Sequence, residues 1–117
     1  MPLEIRPSQA LRLWRQVHLD LVRDSDSDLS ARQTAILLTI YLELPPHTVR
    51  GLAQQLGVTK PVVTRALDTM GKLGLVSRKR DEFDKRNVII QRTVAGALAV
   101  ERLADLVTDR ARELSGS

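Results

Sequence analysis

Between Thr48 and Arg92 the chain reads TVRGLAQQLGVTKPVVTRALDTMGKLGLVSRKRDEFDKRNVIIQR, and this stretch limits the available folds more than any other. Thr48 can cap a helix starting at Val49, because its hydroxyl can accept from an orphan backbone N–H. Leu52, Ala53 and Leu56 recur at helical spacing and predict a buried stripe. Ala53 is small, as a closely crossing second helix requires. Gly57 ends the helix where positive φ costs least, and Val58 follows as an apolar plug. Thr59 is expected to cap the next helix, with Pro61 in its first turn, where a missing N–H is harmless. Val63, Leu67, Met70 and Leu73 predict its inner face. Lys60, Val62, Thr64, Arg65 and Asp68 are left facing out, and Gly74 closes the helix. Two short helices joined by a tight turn form a helix-turn-helix, which places its second helix in the major groove of DNA.

After Gly74, Leu75-Val76-Ser77-Arg78 and Asn87-Val88-Ile89-Ile90-Gln91-Arg92 flank a charged loop, which predicts a two-stranded hairpin, a wing. In this stretch the chain resembles the MarR family of winged-helix transcription factors. The carrying residues are Asp84-Lys85-Arg86, similar to the family's Asp-x-Arg wing pair, and Arg92-Thr93-Val94-Ala95-Gly96, similar to its Leu-Thr-x-x-Gly helix opening. Arg92 stands where the family has Leu, a basic side chain at a usually buried apolar position. The resemblance covers nearly the whole chain in layout, and its motifs are dense between Thr48 and Gly96. It implies a mainly α (α+β) fold, a winged helix-turn-helix of about five helices with a two-stranded wing; the length of 117 residues predicts one domain spanning 1–117.

The flanking segments predict three more helices. Ser8 is expected to cap one reaching about Arg23, with Leu11, Trp14, Val17, His18, Leu21 and Val22 as an apolar stripe broadened by Leu13 and Leu19. A helix apolar on more than one side packs against more than one surface. Asp24-Ser25-Asp26-Ser27-Asp28 is an acidic loop that lacks the glycine and distal Glu of a calcium loop. Ser30 and Gln33 form a capping box for a central buried helix to about Leu44, stopped by Pro45-Pro46. Arg32 reads equally as a phosphate contact or a solvated surface residue. Thr93 caps a final helix to about Leu114, with Val94, Ala97, Leu98, Val100, Leu103, Leu106, Val107 and Leu114 on its apolar face.

Charge separates the candidate functions. Residues 1–59 carry six Arg against six acids, 60–92 nine Lys and Arg against four acids, and 93–117 three against four. The excess of the net +4 therefore sits on the second helix and the wing, as phosphate binding requires. A protein–protein adaptor that binds no DNA is the alternative reading, and this basic concentration argues against it. The chain has no cysteine and two distant histidines, His18 and His47, which disfavours disulfide, thiol and zinc chemistry. No Ser/His/Asp set or phosphate-cradling glycine loop suggests an enzyme. No apolar run approaches a membrane span and the N-terminus is not a signal peptide, so a soluble cytoplasmic protein without a cofactor is expected.

The expected DNA-contacting residues are Thr59, Lys60, Pro61, Val62, Thr64 and Arg65 on the second helix, with Arg65 the candidate for bidentate guanine recognition. Arg78, Lys79, Arg80 and Lys85 are expected to position the backbone without specifying sequence. The resemblance implies that Arg86 enters the minor groove with Asp84 orienting it. The expected homodimer interface comprises Leu11, Trp14, His18, Leu21, Leu103, Leu106, Val107 and Leu114. The resemblance also implies a small-molecule effector. Trp14, His18 and Tyr41 are candidate lining residues for it, although they read more readily as plain core or interface side chains.

Overall fold

The computed structural model describes residues 4–24 and 28–114. Part of the acidic loop expected over 24–28 lies outside the described residues. The element order is α1 (Pro7–Arg23), α2 (Ala31–Leu42), β1 (His47–Thr48), α3 (Val49–Leu56), α4 (Lys60–Lys72), β2 (Val76–Arg80), β3 (Val88–Arg92) and α5 (Val94–Leu114). The chain forms two compact units, one of residues 29–100 and one of residues 1–28 with 101–117.

The larger unit holds the main core. Ile36, Leu37 and Ile40 of α2, Leu52 and Ala53 of α3, and Val63, Ala66, Leu67 and Met70 of α4 pack with Leu75, Val76 and Ile90. The capping box at Ser30 forms as expected: Gln33 N–H donates to Ser30 Oγ at 3.1 Å and Ser30 N–H to Gln33 Oε1 at 2.8 Å. The α2 helix ends at Leu42, not Leu44, and Leu42 and Leu44 are 69% and 90% exposed. Leu44 precedes Pro45, whose ring disfavours helical backbone in the residue before it.

The sheet is one strand wider than the hairpin alone. Its order is β1-β3-β2, all antiparallel, with His47 opposite Ile90 and Arg78 also opposite Ile90 on the other edge. His47 is buried there, with Nε2 3.2 Å from Glu43 O.

Two glycines make the turns. Gly57 ends α3 at φ 69° and Gly74 follows α4 at φ 76°, both in the left-handed region that favours glycine. Leu73, expected on the inner face of α4, is instead 44% exposed. The helix stops at Lys72 and the chain reverses at Gly74, so Leu75 takes the core position; its N–H donates to Met70 O at 2.9 Å. Ala66 supplies the remaining inner contact of α4.

The start of α5 is locked by one node. Thr93 Oγ1 accepts from Gly96 N–H at 2.9 Å and donates to Gly74 O at 2.7 Å. Tyr41 OH donates to Leu75 O at 2.6 Å and accepts from Thr93 N–H at 2.9 Å. A Cβ at position 96 would collide with the Tyr41 hydroxyl and with Leu75 O. The Thr-x-x-Gly pattern is thus a cap and a close approach in one motif. Arg92 is not a buried apolar substitute: its Nε donates to Ile40 O at 2.8 Å and Nη2 to Glu43 O at 3.0 Å. It binds the orphan carbonyls at the end of α2, and its guanidinium lies 5.9 Å from the centre of the Tyr41 ring.

In the smaller unit, α1 begins at Pro7 rather than after a Ser8 cap; Arg6 N–H donates to Gln9 Oε1 at 3.0 Å. Proline is favoured at a first helical position. Arg110 grips Asp20 with two hydrogen bonds, Nε to Oδ2 at 2.7 Å and Nη2 to Oδ1 at 2.8 Å, and also meets Glu113 at 2.9 Å. The Arg110 hydrogen bond, aided by its charge and that of Arg23, holds the Asp20 carboxyl below the usual carboxylate range.

Candidate nucleic-acid interface

The outer face of α4 is open to solvent. Lys60, Pro61, Thr64, Arg65 and Asp68 are exposed, while Val62 is half-buried where a shallow groove runs past Ser30 and Arg32. Arg65 Nε makes a long contact of 3.4 Å to Pro61 O, which leaves the fork end of its guanidinium to bond elsewhere. Arg32 lines the same groove as Arg65, so the two cations border one surface.

Thr59 departs from expectation. It occupies the N-cap position of α4 with extended backbone, φ −81° and ψ 158°, but its side chain accepts no capping hydrogen bond. An N-cap oxygen bonds the N–H of the second or third helical residue. The second is Pro61, which has no N–H. Thr59 is exposed, and no hydrogen bond to the helix end holds its hydroxyl.

On the wing, the expected basic residues divide into two kinds. Arg78 is paired, its Nη1 2.8 Å from Asp68 Oδ1, which ties β2 to α4. Arg80 Nη1 donates to Lys85 O at 3.0 Å and braces the hairpin tip. Lys79 and Lys85 are exposed and make no ion pair among the described residues. Exposed pairs such as Arg78–Asp68 contribute about 0–1 kcal/mol, so this contact orients the wing more than it stabilises the fold.

Asp84 and Arg86 make the pair expected of them. Asp84 Oδ1 accepts from Arg86 Nε at 3.2 Å and from Arg86 N–H at 3.1 Å. The Arg86 side chain, then its backbone N–H, hold the Asp84 carboxyl below its ordinary range, and the charge of Arg50 adds to this. Arg86 itself remains 88% exposed, so the pair aims the guanidinium without covering it. Arg50, an exposed residue of α3, carries no local signal in the sequence; only the fold brings residue 50 to the field of residue 84. Among the described residues no cluster of His, Cys, Asp or Glu is placed to hold a metal, and no helix is long and apolar enough to cross a membrane.

The residues expected at a dimer interface lie in the smaller unit. Leu11 and Trp14 are 70% and 64% exposed, and Val107 is 41% exposed. His18 is exposed, with its ring edge against Trp14 at 4.2 Å between centroids and Nδ1 2.8 Å from Trp14 O. Leu21, Leu103, Leu106 and Leu114 are half-buried. Tyr41, the third candidate lining residue, spends its hydroxyl on the α5 node.

Among the described residues, five helices, with an open cationic face on α4, and a three-stranded sheet ending in a wing define a winged helix-turn-helix protein. A model of the MarR family matches residues 29–88. The organic hydroperoxide resistance transcriptional regulator of Bacillus subtilis (strain 168) is 39% identical over 71 residues, 61% of this chain. The chain matches about half, 48%, of that relative's length. Among solved structures, an E. coli MarR mutant complexed with operator DNA is 29% identical, with TM-score 0.69 over 92% of this chain and 74% of that one. The YusO protein from Bacillus subtilis is similar in fold at TM-score 0.77 and 19% identity, over 94% of this chain and 77% of that one. An S. aureus MepR mutant is similar at TM-score 0.74 and 22% identity, over 97% and 84%. The chain belongs to the MarR family.

Proposed function

We propose that this chain is a sequence-specific DNA-binding transcriptional regulator, working in the cytoplasm as a homodimer on a pseudo-palindromic site. Helix α4 enters the major groove and the wing reaches the minor groove. It acts by binding and not by catalysis. The observation that carries this reading is the α4 face itself. Lys60, Thr64 and Arg65 stand exposed beside an uncapped Thr59, with the exposed Arg86 on the adjoining wing. The E. coli MarR structure complexed with operator DNA, similar to this chain over most of its length, supports DNA as the partner. The large apolar side chains left in water on α1 support the homodimer, because two-fold pairing would remove them from solvent.

Arg65 reads bases in this scheme, with guanine O6 and N7 as its partners, and Lys79 neutralises phosphate. The hydroperoxide response named for the Bacillus relative does not follow, because these 117 residues contain no cysteine whose thiolate could react with a peroxide.

Binding titrations at several salt concentrations test the division of labour. Arg65→Ala is expected to cost about 1–3 kcal/mol on the preferred site and to flatten discrimination between sites. Lys79→Ala is expected to weaken all duplexes alike and to reduce the salt slope by about one. Equal behaviour of the two variants would refute the assignment.

A further inference from the structure

We infer that Phe83 is an apolar wedge which the wing presses against a base step in the minor groove, beside Arg86. The inference rests on the DNA-binding reading and adds a residue and a contact type to it.

Phe83 is the chain's single phenylalanine and is 98% exposed, the most exposed large apolar side chain among the described residues. Such a ring gains free energy whenever a partner covers it. Nothing in the fold does so.

Its position is fixed. Asp81 N–H donates to Asn87 O at 3.1 Å and closes the tip, and Asn87 N–H donates to Asp84 O at 2.9 Å. Phe83 N–H donates to Asp81 Oδ1 at 2.9 Å, and the Arg80 guanidinium holds Lys85 O. The backbone that carries the ring is thus ordered before any partner arrives, which lowers the entropic cost of using it.

The charge around the ring narrows the partner. Residues 81–86 hold three acids against two bases. Asp81 is committed to the Phe83 amide and Asp84 to Arg86, which turns two of the three acids onto the tip itself and leaves phosphate contact to the exposed Lys79 on the strand below. A contact with stacked bases needs no phosphate. Apolar side chains do wedge into minor-groove base steps and kink the duplex toward the major groove, most cheaply at pyrimidine–purine steps. Arg86, three residues along the same tip, supplies the cation that accompanies such a wedge in the minor groove.

The experiment uses the full chain and a short duplex recovered by the wild-type protein from a random pool, labelled at both ends for energy transfer. Phe83→Ala should bind about tenfold more weakly with an unchanged salt slope, and the duplex should lie straighter. Phe83→Leu should keep most of both properties, and the melting curves of both variants should match wild type. Arg86→Ala, by contrast, should reduce the salt slope. Unchanged affinity and bending in Phe83→Ala would overturn the wedge and leave the ring to a protein partner. A loss accompanied by a shallower salt slope would overturn it too. If the wild-type chain recovers no duplex at all, the DNA-binding reading fails first.

Discussion

Thr48 and Thr59 each stand one residue before a helix, yet their side chains do different things. Thr48 Oγ1 accepts from Gly51 N–H at 3.0 Å and caps α3. Thr59 caps nothing, because Pro61 removes one of the two amides it could have served. Thr48→Ala is therefore expected to lower stability by about 1 kcal/mol. Thr59→Ala should change it by less than about 0.5 kcal/mol while weakening DNA binding. Thermal melts of the two variants, read beside their binding curves, check this; equal losses of stability would show that Thr59 is a structural cap after all. The Thr59 case was half legible: the sequence shows both the threonine and the proline, and the conflict lies in their combination. Arg92 was not legible at all. Its carbonyl partners, Ile40 and Glu43, are 52 and 49 residues away in the chain, and no local pattern announces such a contact.

At the scale of elements, the junction of α2, β3 and α5 is the tightest place in the larger unit. Tyr41 OH, Thr93 and Gly96 meet there, and the space beside Gly96 is already filled. Gly96→Ala would ordinarily favour a helix. Here it should destabilise by about 2 kcal/mol, since overpacking outweighs the propensity gain of about 1 kcal/mol. A denaturant melt with an unchanged slope measures it; a variant as stable as wild type would mean that α5 can slide away from Tyr41 without loss. The helices α3, α4 and α5 were legible because caps, glycines and 3.6-residue periodicity are local signals. The strand β1 was not, since two residues carry no period and form a strand only by pairing with Ile89 and Ile90. The end of α4 misled for a similar reason: Leu73 continues the apolar pattern, but the turn at Gly74 delivers Leu75 to the core instead.

Across the whole molecule, the uneven charge agrees with the exposed surface. The five-unit excess between Lys60 and Arg92 falls on α4 and the wing, and most of those cations face solvent. The fold class followed from the sequence because helix-turn-helix spacing and wing residues are dense in one stretch. The division of wing cations did not, because the Arg78–Asp68 pair joins a strand to a helix across the fold. The exposed Leu11 and Trp14 suit a second copy of the chain, and a two-fold pair would carry two copies of α4. Selection of bound duplexes from a random pool tests the central claim most directly. The account predicts enrichment of two inverted half-sites with centres about one helical turn, roughly 34 Å, apart. Recovery of no preferred sequence, or of single half-sites without fixed spacing, would contradict it.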